Sequence, residues 1–527
     1  MFDVLIKNGK IVTGTGNPWL YGDVAVVKDK IVKIGKLSKE SAEKVIDAKG
    51  CYVCPGFIDG HSHSDLGVIS EPTAEQKIMQ GVTTENIGMD GLSVAPIREE
   101  HIADWRKHLS GLTGKPDIDW SWRSFADFFD VIDAVPPSIN ITSYVGLGTM
   151  RLCVIGMSDR EATAGEIEQM KVMAAQAMEE GARGISAGLI YPPSQYQRLD
   201  EVIEIAKVAR QYDGIYDVHL RSESDHLIKA MEEVVEIGRQ SEIPILITHF
   251  KASGKDNWGM SETILKMVEN ARDEGIDVTV AQYPYTAGST ILHACIPPWY
   301  HSKGPDKLIQ ALGEERDQIK KGIRERNDWE NMSMSNGWDN IFVSSVESDA
   351  NRIYEGKNLV DIAKMRGVED PVDAVCDLLI EEELAVGMVL FCMDESDVIR
   401  IMKHPVTAYI TDGILGGSKP HPRVYGSFPR LLGRYVRDQG VVTLEEAIRK
   451  MTSATAERLR LKTKGRLAEN YDADITVVNM DTVIDNATYE DPRQFPTGID
   501  WVLVNGQVVV ENGKHTGARP GKTVRTR

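Results

Sequence analysis

Several things are scarce in this chain, and each scarcity excludes a class. Cysteine is one: six in 527 residues make no disulfide framework, so a cytoplasmic setting is expected. Basic excess is another. Sixty Lys and Arg stand against 79 Asp and Glu, a net charge of −19. That argues against nucleic acid or an anionic membrane as partner, since both select electropositive surface. It leaves a small-molecule substrate open, because local charge decides there. No apolar run reaches the roughly 20 residues of a membrane span. The opening Met1-Phe2-Asp3-Val4-Leu5-Ile6-Lys7 has no basic segment followed by a long apolar one, so no secretory signal is expected. Cys51 and Cys54 form a CxxC without a second pair at zinc-ribbon spacing, and both read as strand residues. The remaining composition, 42% apolar and 26% charged, is that of an ordinary globular protein. Its length predicts two or more domains. Oligomeric state stays open.

Patterning divides the chain into β-rich ends and an alternating middle. Phe2, Val4 and Ile6 fall at alternate positions ahead of Asn8-Gly9, a hairpin signal. Val24–Val27 and Ile31–Ile34 flank Lys28-Asp29-Lys30. Near the other end, Asp474–Val478 reads as a strand, and Trp501–Val504 with Gln507–Val510 as a hairpin around Asn505-Gly506. One small β-domain, residues 1–50 with 465–527, is expected from both termini. Between them strands and helices alternate, as in parallel βα units. A clear unit opens at Thr163 and Glu166, a capping box, with Ile167, Met170, Ala174 and Ala177 on one helical face. Eight candidate strands result: Tyr52–Ile58, Thr83–Ile87, Ile141–Leu147, Arg183–Leu189, Ile215–Leu220, Ile245–His249, Val278–Tyr283 and Thr407–Thr411. Eight is the number for a (β/α)8 barrel, placed at 51–464. Residues 286–400 break the rhythm with Ile296-Pro297-Pro298-Trp299-Tyr300 and a charged run around Leu312–Arg326. An active-site lid and a solvated decoration or oligomer contact both fit this insertion.

The chemistry gathers at the C-terminal ends of the proposed strands, where such barrels carry their sites. His61 and His63 follow the first strand, Asp90 the second, His219 ends the fifth, His249 the sixth, and Asp412 the eighth. One histidine after an apolar run reads as a satisfied core residue. Four histidines and an aspartate converging on one barrel mouth would be costly to bury without a shared partner, so they predict a divalent-metal site, zinc above all. A metal there lowers the pKa of a bound water and polarises a carbonyl. Asp412 is placed to take the water proton and deliver it to a leaving amine. The expected reaction is hydrolysis of an amide-like bond.

With these motifs the sequence resembles the amidohydrolase superfamily, and within it the N-acyl-D-amino-acid deacylases (D-aminoacylases). The resemblance covers nearly the whole chain. It is carried by Pro55–Asp65, Gly81–Thr84, Gly146–Arg151, Gly188–Pro193, His219–Glu223, Thr248–Lys251, Gln282–Ser289 and Thr411–Gly413 through His421–Arg430. It implies a barrel with a β-sandwich from both termini, zinc on His219 and His249, and a weaker position at His61 and His63. It further implies Asp412 as acid/base, with Lys251 and Tyr285 on the substrate carboxylate. An ion pair to a neighbouring carboxylate is the alternative for Lys251. Tyr191 and Arg221 flank the same mouth. The family often has Gly-Asn-Cys-Gly where this chain has Gly88-Met89-Asp90-Gly91, so Asp90 replaces a thiolate ligand by a harder carboxylate. That leaves one or two ions, and a metal other than zinc, open. Glu85 is the fallback ligand. No lysine stands at the strand end where other superfamily members carry a carboxylated one, which disfavours a hydantoinase. Beside the deacylase stand two other readings: a hydrolase of another amide, cyclic amide or carbamate, and an inactive binding or assembly protein.

Overall fold

Alternating apolar residues near both termini build one sheet. The computed structural model describes residues 1–37, 39–326 and 328–526. It opens with β1 (Phe2–Ile11), β2 (Leu20–Val27), β3 (Lys30–Gly35), β4 (Ala42–Asp47) and β5 (Tyr52–Pro55). The middle holds β6 (Phe57–Asp59), β7 (Val82–Ile87), β8 (Asn140–Ser143), β9 (Val145–Gly146), β10 (Gly184–Gly188), β11 (Ile215–His219), β12 (Ile245–Ile247) and β13 (Val278–Gln282). Next come β14 (Ala287–Ile291), β15 (Ile341–Ser345), β16 (Gly387–Phe391) and β17 (Thr407–Tyr409), and the chain closes with β18 (Ile475–Val478), β19 (Ile499–Val504), β20 (Gln507–Glu511) and β21 (Lys514–His515).

The nine-stranded sheet runs β21-β20-β19-β18-β5-β1-β2-β3, with β4 beside β1. Its centre joins the two chain ends: Val477 of β18 lies opposite Val53 of β5, antiparallel. Val4, Ile6, Val24, Val26, Val53, Ile475 and Leu503 form its buried core. The Asn505-Gly506 turn between β19 and β20 is as expected, both residues at positive φ. The Asn8-Gly9 hairpin is not there. β1 runs straight through it, with Asn8 in a bulge between the Ile6–Val24 and Gly9–Gly22 pairs of the β1–β2 ladder. Asn8 takes the left-handed conformation in place, and its N–H donates to Asp23 Oδ1 at 2.9 Å.

The middle strands are parallel throughout, in the orders β6-β7-β8 and β9-β10-β11-β12-β13-β17. At the seam beyond β17, Asp412 N–H donates to His61 O (3.0 Å) and His63 N–H to Gly413 O (3.1 Å). Two candidate strands are interrupted. Tyr52–Ile58 divides at Gly56: β5 joins the nine-stranded sheet and β6 pairs with β7. Gly56 is required there because a Cβ would lie 2.2 Å from Thr83 Oγ1. The third candidate breaks at Tyr144, and Leu147 already opens a helix, Leu147–Ile155. The helix Ala164–Glu179 has both halves of the Thr163/Glu166 capping box and buries Met170, Ala174 and Ala177, with Ile167 partly covered. Within 286–400, β14, β16 and β15 form an antiparallel sheet flanked by helices including Pro305–Glu314 and Pro371–Glu381. Among the described residues, no helix is long and apolar enough to cross a membrane.

Candidate active site

Parallel strands deliver their C-terminal ends to one place, and irregular backbone aims the side chains from there. His219 is the last residue of β11, and His249 follows β12 by two residues. His61 and His63 lie past the end of β6, not on the strand itself, where their backbone bonds to Asp412 and Gly413. Asp90 (φ 55°), His249 (φ 32°) and Asp412 (φ 51°) all occupy the left-handed region. Asp and His tolerate it better than most residues, yet each such position costs about 1–3 kcal/mol and is kept where surroundings over-determine it. Gly88 leads into the Asp90 turn at φ 76°, and a Cβ there would lie 2.2 Å from Tyr144 O.

The six side chains converge. Asp90 Oδ1 lies 3.8 Å from His61 Nε2 and 3.7 Å from His249 Nε2, while Oδ2 lies 3.5 Å from His63 Nε2. Asp412 Oδ1 is 3.6 Å from His61 Nε2 and 3.3 Å from His63 Nε2. The His219 and His249 ring centroids are 4.3 Å apart. Three overlapping groups have ligand atoms within 4.8 Å of one another: His61, His63 and Asp412; His61, Asp90 and His249; His219, Glu223 and His249. Asp90 is thus the aspartate common to the His61 and His249 sides.

The donor set fits a divalent cation on one observation. His61 Nε2, Asp90 Oδ1 and both nitrogens of His219 are buried with no hydrogen-bond partner among the described residues. Orphaned buried polar atoms are rare and costly, and a cation would satisfy His61 Nε2, Asp90 Oδ1 and one of the two His219 nitrogens. Burial opposes charge on the imidazoles, but Asp90, Asp217 and Asp412 raise His61, and Glu223 and Asp90 raise His249 to about 9, a field that favours positive charge at this point. Burial pushes His219 down to about 3, leaving it neutral. Burial pushes the Asp412 carboxyl up, but Arg423, His63, His249 and His61 outweigh it and hold it well below the usual range. Thr248 Oγ1 lies 2.5 Å from His61 Nδ1, and Glu223 Oε1 3.0 Å from His249 Nδ1. Such outer contacts fix the orientation of ligating imidazoles.

A cavity opens on this cluster, walled by His63, Asp90, His219, His249 and Asp412. Tyr191 and Lys251 line it too. Lys251 makes the ion pair that stood as its alternative, 2.6 Å from Glu223 Oε1, with a further contact of 2.7 Å to His249 Nδ1. Two expected residues stand off the wall. Tyr285 N–H bonds back to Tyr283 O (3.1 Å), so the chain turns between the two tyrosines. Tyr283 faces the cavity, while the Tyr285 hydroxyl lies 3.4 Å from Asp485 Oδ2. The Arg221 guanidinium is engaged by Glu233 and the Gln195 and Gln197 carbonyls. Glu85 is not a ligand here. Its carboxylate meets Lys77 at 3.4 Å, within a buried network that also includes Asp59. Sequence reasoning passed over Glu223, Tyr283 and Arg423, although all three lie inside the quoted motifs. It also missed Glu330 and Met332, which the insertion contributes to the wall.

The amidohydrolase family profile matches residues 44–233 and 360–510. A D-aminoacylase of Alcaligenes xylosoxydans xylosoxydans is 35% identical over 525 residues, 99% of this chain and 97% of the relative. A crystal structure of N-acyl-D-glutamate deacylase from Bordetella bronchiseptica, complexed with zinc and a phosphonate mimic of the tetrahedral intermediate, matches with a TM-score of 0.85. Identity is 32%, and the match covers 99% of both chains. A structure of a D-aminoacylase with a binuclear metal centre matches with a TM-score of 0.84 at 34% identity over 100% of both chains.

Proposed function

Because this chain belongs to the amidohydrolase family, and within it to the D-aminoacylases, we propose that it hydrolyses N-acyl-D-amino acids to a D-amino acid and a carboxylic acid with the help of a bound divalent metal, zinc foremost. The observation that carries this is the convergence of His61, His63, Asp90, His219, His249 and Asp412 on one cavity with buried ligand atoms left unpartnered. We read the two parallel ladders as one (β/α)8 barrel, residues 51–464, meeting at the seam of His61, His63, Asp412 and Gly413. Residues 1–50 and 465–527 form the β-sandwich beside it. Residues 286–400 act as a lid, which the cavity-wall positions of Glu330 and Met332 support.

In this reading His219 and His249 hold the firmer metal position, His61 and His63 the looser one, and Asp90 serves both. The bound ion supplies Lewis acidity toward the scissile carbonyl and an acidified water. Asp412 performs the proton transfers. Its Oδ2 is pinned by Arg423 Nη1 at 2.8 Å, which leaves Oδ1 to accept the proton of the attacking water and return it to the departing nitrogen. Lys251 has three ammonium protons. Glu223 engages one, and another serves the substrate carboxylate. Tyr191, Tyr283 and Arg423 shape the rest of the wall.

The test is turnover of purified, zinc-loaded protein on paired N-acetyl-D- and N-acetyl-L-amino acids. Hydrolysis of at least one D-substrate in preference to its L-partner is expected. Inactivity on every D-substrate overturns the reading. Activity confined to cyclic amides or carbamates would establish the second one, which the carboxylate of Asp90 favours because it makes a harder metal site than a thiolate.

A further inference from the structure

Away from the catalytic cavity, three more histidines face one another: His108 on the helix Ile102–Thr113, His293 on the single turn Leu292–Cys295, and His301 just past Pro298–Tyr300. All are buried, with ring centroids 5.0 Å (His108–His293), 5.4 Å (His293–His301) and 6.5 Å (His108–His301) apart. One ring nitrogen from each lies within 4.8 Å of the other two. We propose that His108, His293 and His301 form a further metal site, holding one zinc through three neutral imidazoles and clipping the insertion to the helix Ile102–Thr113.

Hydrogen bonding assigns the tautomers. His293 Nε2 lies 3.1 Å from the His108 carbonyl and His301 Nε2 lies 3.3 Å from the Ile296 carbonyl. A carbonyl only accepts, so both Nε2 atoms carry the proton and both Nδ1 atoms present a lone pair. Those two Nδ1 atoms and His108 Nε2 are buried with no hydrogen-bond partner among the described residues. The His108 ring meets the Pro192 backbone, which offers only a carbonyl. An imidazole that gives its other N–H to a carbonyl is the usual state of a zinc-ligating histidine. One trapped water has two protons to offer and cannot satisfy three lone pairs. Three histidines with an open fourth position are an established zinc donor set. Zinc–nitrogen bonds of about 2.1 Å put tetrahedral ligand atoms about 3.4 Å apart, so nitrogens now within 4.8 Å of one another need to close by up to about 1.4 Å. Burial favours the ligating form, pushing His293 to about 4 and His301 to about 3.

The placement gives the site a use. Leu112, one turn beyond His108, and Ile291, two residues before His293, both line the catalytic cavity. A metal here fixes the helix and the insertion segment that form that wall, and it stabilises the folded chain by mass action. The inference is independent of the deacylase reading, and its readout is metal, not turnover.

Crystals of the full chain grown with Zn²⁺ and measured on both sides of the zinc absorption edge test it. An anomalous peak bounded by His108 Nε2, His293 Nδ1 and His301 Nδ1 is expected. No peak there, at a zinc concentration that fills the catalytic cavity, overturns the proposal. Metal analysis after gel filtration gives the second arm: folded His293→Asn should carry one zinc fewer per chain than the parent, whereas a His219→Asn, His249→Asn double variant should retain that ion. Equal zinc in His293→Asn and parent overturns it too.

Discussion

At the scale of the residue, the proposed mechanism makes Asp412 a base while it lies buried beside a guanidinium. Arg423 helps hold its carboxylate ionised and lies 2.8 Å from Oδ2, while Oδ1, facing His61 and His63, is the oxygen placed to move a proton. Asp412→Asn keeps the shape and the left-handed backbone, which Asn also tolerates, but removes the base. We predict that zinc content persists while kcat falls by about 10²–10⁴-fold, the usual worth of a positioned acid/base. A rate near that of the parent would take Asp412 out of the mechanism. Asp90 calls for a different measurement, since its role is ligation. In Asp90→Cys the softer thiolate should raise the preference for zinc over manganese in equilibrium dialysis, and an unchanged preference would make Asp90 a turn residue. These groups were legible in the sequence because four histidines and an aspartate recur at the ends of successive apolar strands, and that many buried polar groups need a shared partner. Glu223, Thr248 and Arg423 were harder to see. They act by touching a ligand, and contact across the cavity leaves no periodicity in the chain. Tyr283 and Tyr285 show the limit most plainly: two tyrosines two residues apart face different ways because one backbone hydrogen bond turns the chain between them.

At the scale of the element, the parallel units and the capped helix at Thr163 were readable because pattern and cap agree there. The errors fall where one residue changes an element's allegiance. Gly56 hands the chain from one sheet to another inside a single apolar run, and Asn8-Gly9 bulges a strand where the same pair usually ends one. The insertion was recognisable by its length, but not what it brings to the wall. Glu330 is its most testable contribution. The carboxylate accepts from Ser222 Oγ (2.5 Å) and Ser224 Oγ (2.9 Å). Burial nevertheless pushes it from 4.5 up to about 7; the serine bonds oppose the rise and Glu223 adds to it. The folded chain therefore holds this proton more tightly than the unfolded chain does. The stabilisation is complete below about pH 4.5 and is lost as pH rises through 7, at most about 3 kcal/mol for this one group. Glu330→Gln, which has no proton to lose, should melt higher than the parent at pH 8, with the gap closing toward pH 5. An equal difference at both pH values would remove Glu330 from the pH response.

At the scale of the whole molecule, the two chain ends meet the parallel strands at one buried carboxylate. Asp474 Oδ1 accepts from Asn505 N–H (2.7 Å), and Oδ2 from Lys464 Nζ (2.6 Å) and the Asn140 side-chain amide (3.3 Å). Its carbonyl takes the Gly56 N–H at 2.8 Å, at the point where the chain passes between sheets. One residue thus ties the β19–β20 turn, strand β8 and the β5–β6 passage together. Lys464 is the ion that makes this burial tolerable, for its side chain and that of Asp474 are 3% and 4% exposed. Breaking one side of such a pair leaves an uncompensated charge and costs about 3–5 kcal/mol, whereas removing both charges is far milder. Lys464→Met should therefore lower the melting temperature strongly at fixed zinc concentration, since bound metal itself shifts melting. Adding Asp474→Asn to Lys464→Met should restore part of the loss, because Asn removes the charge and its single carbonyl oxygen can still accept from the Asn505 N–H. If the double variant melts below Lys464→Met, the carboxylate is held by its other partners, and the joint between the terminal sheet and the parallel strands does not depend on the lysine.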